Sequence, residues 1–156
     1  MATDTFSMQG TSAVQGRFRT IAPWLSRMVM MPPVLVFTLI GTRFLANPGH
    51  AVPGVTLNTP ESFTDMRVMA AWTITLAAVL LTLISNRKRL WLGHLLLCVF
   101  LGLMLAIRIF GFVHDGTTLE TGNQMRITVV ETVLLILNVL GLVVQNQLRK
   151  QIAVRP

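Results

Sequence analysis

Four stretches of this chain are apolar for long enough to cross a bilayer, and nothing else in the sequence limits its fold as severely. They run from about Met28 to Ala46 (MVMMPPVLVFTLIGTRFLA), Met66 to Ser85 (MRVMAAWTITLAAVLLTLIS), Leu90 to Val113 (LWLGHLLLCVFLGLMLAIRIFGFV) and Ile127 to Leu148. An α-helix rises about 1.5 Å per residue and a hydrocarbon core is roughly 30 Å thick, so one crossing takes about 20 residues. None of the four alternates apolar with polar as a half-buried strand does, and lipid leaves the edge of an open sheet unsatisfied. The expectation is an all-α fold, a four-transmembrane-helix bundle. It forms one membrane domain over residues 23–150, between a flexible cytoplasmic tail at 1–22 and a short cytoplasmic tail at 151–156.

Composition supports this reading and the charge distribution orients it. The chain of 156 residues is 53% hydrophobic and 12% charged, against about 25% charged in a soluble domain. Its net charge is +7, but the positions matter more than the total. Arg17, Arg19 and Arg27 precede the first span, Arg87, Lys88 and Arg89 link the second to the third, and Arg149, Lys150 and Arg155 end the chain. These cations share their side with a single acid, Asp4. The opposite side holds Arg43, Arg67, Arg108 and Arg126 with Glu61, Asp65, Asp115, Glu120 and Glu131. The positive-inside rule then places both termini in the cytoplasm, an N-in/C-in topology. A hydrated basic flank accounts for the isoelectric point of about 11.6 without nucleic acid as a partner, and basic segments beside a membrane also hold anionic headgroups.

The first 22 residues are rich in Ser, Thr, Gly and Gln and lack sustained periodicity, which reads as a tail. Pro32 and Pro33 either start the first helix or kink it, since proline suits a first turn and disrupts an interior one. Arg43 interrupts the first apolar run and a long polar prefix precedes it, so retention as a membrane helix is expected over cleavage as a signal peptide. In the loop before the second span, Thr59 and Pro60 have the form of a helix cap and first helical residue. The lone Cys98 permits no internal disulfide and reads as a small apolar residue inside the third span.

The question of chemistry centres on RIFGFVHDG, Arg108 to Gly116, where an arginine sits before the third span has left the membrane. Residues seven apart lie almost on one helical face. That rule aligns His94, Leu101, Arg108 and Asp115 on the third helix, and Glu131, Asn138 and Gln145 on the fourth. Arg108 and Glu131 fall at similar depths and are expected to pair, because an uncompensated ion at the bilayer centre costs about 2.5 to 3.5 kcal/mol. With Arg43 and Arg67 they form an outer-end cluster of Arg43, Arg67, Arg108, Asp115 and Glu131, beside His114. Its surplus guanidinium charge suits a carboxylate or phosphate. Structural pairing and snorkelling to the interface explain the same residues. Asn138 reads as an interhelical hydrogen bond. Ala71, Thr75, Ala78 and Thr82 give the second helix a small face for close packing, and Trp24, Trp72 and Trp91 read as interface residues.

Several chemistries are disfavoured. His94 and His114 lie about 30 Å apart along one helix and His50 lies in a loop, so one chain does not clamp a haem between them. No HExxH, GxSxG or P-loop pattern occurs, no closely spaced His/Cys/carboxylate set supports a metal, and no cofactor is expected.

The order GTRFLANP, MRVMAAW, RIFGFVHDG and RITVVETVLLILN, from roughly Pro33 to Val144, resembles the bacterial four-helix membrane proteins grouped as domain of unknown function 4345. In that pattern Pro48, Arg67, Arg108, Gly111, Asp115, Gly116 and Glu131 fall on the recurrent positions. The resemblance implies a multi-pass protein, here of a bacterial inner membrane, with no assigned activity or substrate. The residues favour a noncatalytic accessory or structural subunit, in contact with the lipid bilayer and with a membrane protein partner or a second copy of itself. The alternative is a binding protein or enzyme for an amphiphilic anionic ligand, a lipid or quinone, at the outer-end Arg/Glu cluster. Whether the chain is an enzyme stays open on these residues.

Overall fold

A computed structural model describes residues 5–50, 57, 59–114 and 124–153. Among these residues there are four α-helices: α1 (Thr5–Ala46), α2 (Pro60–Ser85), α3 (Leu90–His114) and α4 (Gln124–Ala153), with short 3-10 turns at Pro48–His50 and Arg87–Arg89. Each carries a segment long and apolar enough to cross a membrane: Thr20–Ala46, Pro60–Ser85, Arg87–His114 and Met125–Lys150. No strand occurs among the described residues. The fold is all-α, as the apolar runs require.

The largest departure from expectation lies at the start. The helix α1 begins at Thr5, so the backbone from there to residue 22 is helical where an irregular tail was expected. No proline precedes Pro23, and Ala, Met, Gln and Arg tolerate a helix at little cost, so once the packed part of α1 is formed each preceding residue adds one hydrogen bond. Pro32 and Pro33 also lie inside α1 rather than at its start. Each lacks the N–H that would meet the carbonyl four residues earlier, which weakens the turn at Met28 and Val29.

The described chain divides into two compact units at that turn. One unit comprises Met30–Arg87, the other Met1–Val29 with Lys88–Pro156. In the first, the later part of α1 packs on α2 at Gly41. A Cβ added there would lie 2.6 Å from Ile74 Cγ1, 2.7 Å from Thr73 Oγ1 and 3.2 Å from the Ala70 carbonyl oxygen, so only glycine permits this approach. Met30, Val34 and Phe37 on α1, and Ala70, Ala77, Leu80 and Ile84 on α2, are buried at helical spacing. Thr59 caps α2, accepting from the Ser62 backbone N–H at 3.2 Å, and Pro60 is the first helical residue. The Ser62 Oγ returns the contact by accepting from the Thr59 N–H at 3.3 Å, a reciprocal box that satisfies two donors at the helix start. Ala71, Thr75, Ala78 and Thr82 are exposed instead of buried. Close packing on α2 uses the neighbouring face, through Ala70, Thr73 and Ile74.

In the second unit α3 and α4 run antiparallel. Trp91 meets Arg149 at one end and Arg108 meets Glu131 at the other. The buried stripe of α3 is Leu90, Gly93, His94, Leu97 and Leu101, and that of α4 is Asn138, Gln145 and Leu148. The outward residues, among them Leu103, Ile107, Val133, Ile136 and Leu140, are apolar and exposed, as a helix in lipid requires.

Candidate functional site: a polar seam on α3 and α4

Seven-residue spacing puts Glu131, Asn138 and Gln145 on one face of α4, about 10 Å apart. Each holds a polar partner on another helix of the same unit. Glu131 accepts from Arg108 Nε at 2.6 Å through one carboxylate oxygen and from Nη2 at 2.9 Å through the other. This two-pronged geometry matches the guanidinium fork to the carboxylate. The two side chains are only 18% and 13% exposed.

Asn138 is fully buried. Its Nδ2 donates to the Leu134 carbonyl oxygen at 2.8 Å, which turns Oδ1 toward the imidazole of His94, 2.8 Å from Nδ1. An amide oxygen only accepts, so Nδ1 carries the proton. His94 is likewise fully buried, and its Nε2 has no hydrogen-bond partner. The ring lies against the backbone of α4 at Gly141, where an added Cβ would stand 2.4 Å from Cε1 and 2.6 Å from Nε2. Further along, Gln145 Nε2 donates to Ser26 Oγ of α1 at 2.7 Å, and this bond too is buried.

Of the five residues expected in an outer-end cluster, Arg108 and Glu131 are brought together. Arg43 and Arg67 belong to the other unit, and both are exposed near helix ends. Asp115 lies outside the described residues. His114 is exposed and stacks on Phe110, with ring centroids 4.2 Å apart. Cys98 is half-buried. Among the described residues no three His, Cys, Asp or Glu side chains come together as a metal site.

Sequence reading missed three features of the seam. His94 was aligned on the polar face of the third helix and disfavoured as a haem ligand, with no partner named for it; in the structure its Nδ1 donates to Asn138. The available signal was Gly141, one turn beyond Asn138 and small enough to admit a ring. The Ser26 contact had none, since a serine before the expected start of the first span carries no positional information. The stacking of Arg149 on Trp91 was legible only as two interface residues of a familiar type.

The seam fastens helices. Among the described residues it holds an ion pair, an amide–imidazole pair and an amide–hydroxyl pair. A family model described as Domain of unknown function (DUF4345) matches residues 25–142, which take in the Arg108–Glu131 and His94–Asn138 contacts and, of the third, Ser26 but not Gln145. No curated protein and no solved structure matches the chain.

Proposed function

We propose, on the premise that this chain belongs to the family described as a domain of unknown function (DUF4345), that it is a noncatalytic structural or accessory subunit of a membrane assembly. The reading rests on one observation above all: Glu131 engages Arg108 through both carboxylate oxygens. The one ionic contact of the seam is thereby neutralised in place, which suits a fastener better than a group poised to take up an anion or a proton. The apolar faces of the third and fourth spans support the second half of the reading. Only 11% and 6% of their most apolar windows are buried within the chain, which leaves wide surfaces for lipid and for the helices of a partner or a second copy.

The charge distribution supports a topology with both termini in the cytoplasm, and the family resemblance supports a bacterial inner membrane. The competing reading is a binding protein or enzyme for an amphiphilic anion at the Arg/Glu cluster expected from the sequence, with Glu131 positioning Arg108 or exchanging a proton.

Native mass spectrometry of the full chain, extracted in mild detergent, separates the two. The expected result is a defined oligomer or a stoichiometric complex with another membrane protein, kept when Arg108 and Glu131 are replaced together by Gln. A retained amphiphile that is lost in this doubly substituted, still folded protein establishes the competing reading. A monomer with neither partner nor adduct overturns both.

A further inference from the structure

We propose that α1 carries a hinge at residues 28–33, about which the two compact units of the chain swing while the contacts inside each stay closed. The chain passes from one unit to the other between Val29 and Met30 and again between Arg87 and Lys88. At the second passage no α-helix continues. The helix α2 ends at Ser85, Asn86 is extended with φ −101° and ψ 109°, and a 3-10 turn follows at Arg87–Arg89. The covalent stiffness between the units therefore rests on α1, which among the described residues is the one α-helix that runs through a passage.

That helix is weakest at the passage itself. Pro32 and Pro33 have no N–H to give to the carbonyl groups of Met28 and Val29, and their rings crowd those carbonyls. Met31 and Pro32 each precede a proline, a position that disfavours the α conformation. The helix continues through them all the same. Bending there opens the ladder where two consecutive bonds are already missing.

On either side of this turn α1 is fastened to a different helix. Ser26 accepts from Gln145 of α4 at 2.7 Å, and Gly41 lies against Ala70, Thr73 and Ile74 of α2. Each of these contacts joins helices of one unit, as do Arg108–Glu131 and His94–Asn138. None of them is drawn out when α1 bends between Ser26 and Gly41. Motion of this kind concentrates the change in a few backbone torsions and leaves the packed bodies intact. A swing of about 20°, the angle that separates a kinked helix from a gently curved one, carries a point about 20 Å from the turn through about 7 Å.

The test is double electron–electron resonance between spin labels on the full chain in lipid nanodiscs, with Cys98→Ser removing the native thiol. Labels at Val79→Cys and Leu103→Cys report across the units. Labels at Leu39→Cys and Val79→Cys, and at Leu103→Cys and Val139→Cys, report within one unit each; all four positions are exposed. The expected result is a distance distribution across the units wider than both others by about 5 Å or more. Pro32→Ala with Pro33→Ala, which restores both donors, should narrow it to within about 2 Å of the others. Pro23→Ala removes the proline of α1 that lies inside one unit, and should leave the width unchanged. Circular dichroism confirms that each variant is folded; if the double Ala variant is not, Pro33→Ala alone should narrow the distribution in part. A distribution across the units no wider than those within them overturns the proposal, as does undiminished width in a folded variant that has lost Pro33.

Discussion

Glu131 on α4 receives two hydrogen bonds from Arg108 on α3, at 2.6 and 2.9 Å, and the pair stands in register with two further polar contacts at seven-residue intervals along α4. An apolar seam alone fixes antiparallel membrane helices weakly, because lipid tails compete for the same surface. Polar contacts at defined heights penalise a slip of α3 against α4 by one turn, which would separate the Arg108–Glu131 and His94–Asn138 contacts together. The seam therefore sets register, and its members should differ in cost according to what each leaves behind when its partner is removed.

The ion pair carries the largest such asymmetry. Arg108→Leu or Glu131→Leu alone strands a charge in the membrane-spanning region and should destabilise by about 3 kcal/mol. Replacing both by Leu should recover stability to within about 1 kcal/mol of the parent, since apolar pairs substitute well for buried ion pairs. Unfolding of the purified protein by increasing SDS in mixed micelles, followed by far-UV circular dichroism, measures all four variants. Additive losses in the double variant would show that the two side chains do not act as a pair.

Gly141 is set by His94. A methyl group at that position would stand 2.4 to 2.7 Å from three ring atoms, and the ring cannot retreat without abandoning Asn138. Gly141→Ala should therefore cost about 1 to 3 kcal/mol, despite the better helix propensity of alanine. His94→Ala in the same chain should relieve most of that strain. The same SDS titration reports it, as a double-mutant cycle with a coupling of at least about 1 kcal/mol.

The His94–Asn138 pair should behave as two neutral groups. Asn138→Leu leaves the Nδ1 proton of His94 buried without an acceptor and should cost about 1 to 3 kcal/mol. His94→Leu with Asn138→Leu removes donor and acceptor together and should fall closer to the parent. Nitrogen-15 NMR of the histidine rings provides an independent check: in the parent the His94 signal should report a protonated Nδ1, and Asn138→Leu should abolish that preference.

Much of this arrangement was legible because membrane helices write their spacing plainly. Apolar length located all four spans, and the seven-residue rule put His94, Arg108, Glu131, Asn138 and Gln145 on the faces where they make their contacts. Thr59 and Pro60 announced the start of α2 through cap chemistry that needs no tertiary information. Angular choice on α2 was not legible. Ala70 with Ala77 and Ala71 with Ala78 are equally small pairs one residue apart, and only the position of Gly41 on another helix selects the first. The start of α1 was hidden for a different reason: permissive residues neither demand a helix nor forbid one, so its extent depends on growth from the packed region. Arg43 and Arg67 were grouped with Arg108 by depth; they lie in the other unit, and Asp115 lies outside the described residues.

Gly41 and Gly102 make a matched test of how glycine serves the two units, because each lies in a helix interior with opposite surroundings. At Gly41 an added Cβ meets Ile74 and Thr73 at 2.6 and 2.7 Å, and the Ala70 carbonyl oxygen at 3.2 Å. The Thr73 hydroxyl is already committed, donating to the Ala70 carbonyl oxygen at 2.9 Å, so making room disturbs both a side chain and a backbone acceptor. At Gly102 nothing lies within 4 Å of the added atom. Gly102→Ala should then be neutral or stabilise α3 by up to about 1 kcal/mol through helix propensity alone, while Gly41→Ala should cost about 1 to 3 kcal/mol through overpacking. Thermal unfolding of the two variants in one detergent compares them directly. A loss at Gly102 equal to that at Gly41 would point to a second copy or a partner helix against the Gly102 face, since no neighbour among the described residues accounts for it.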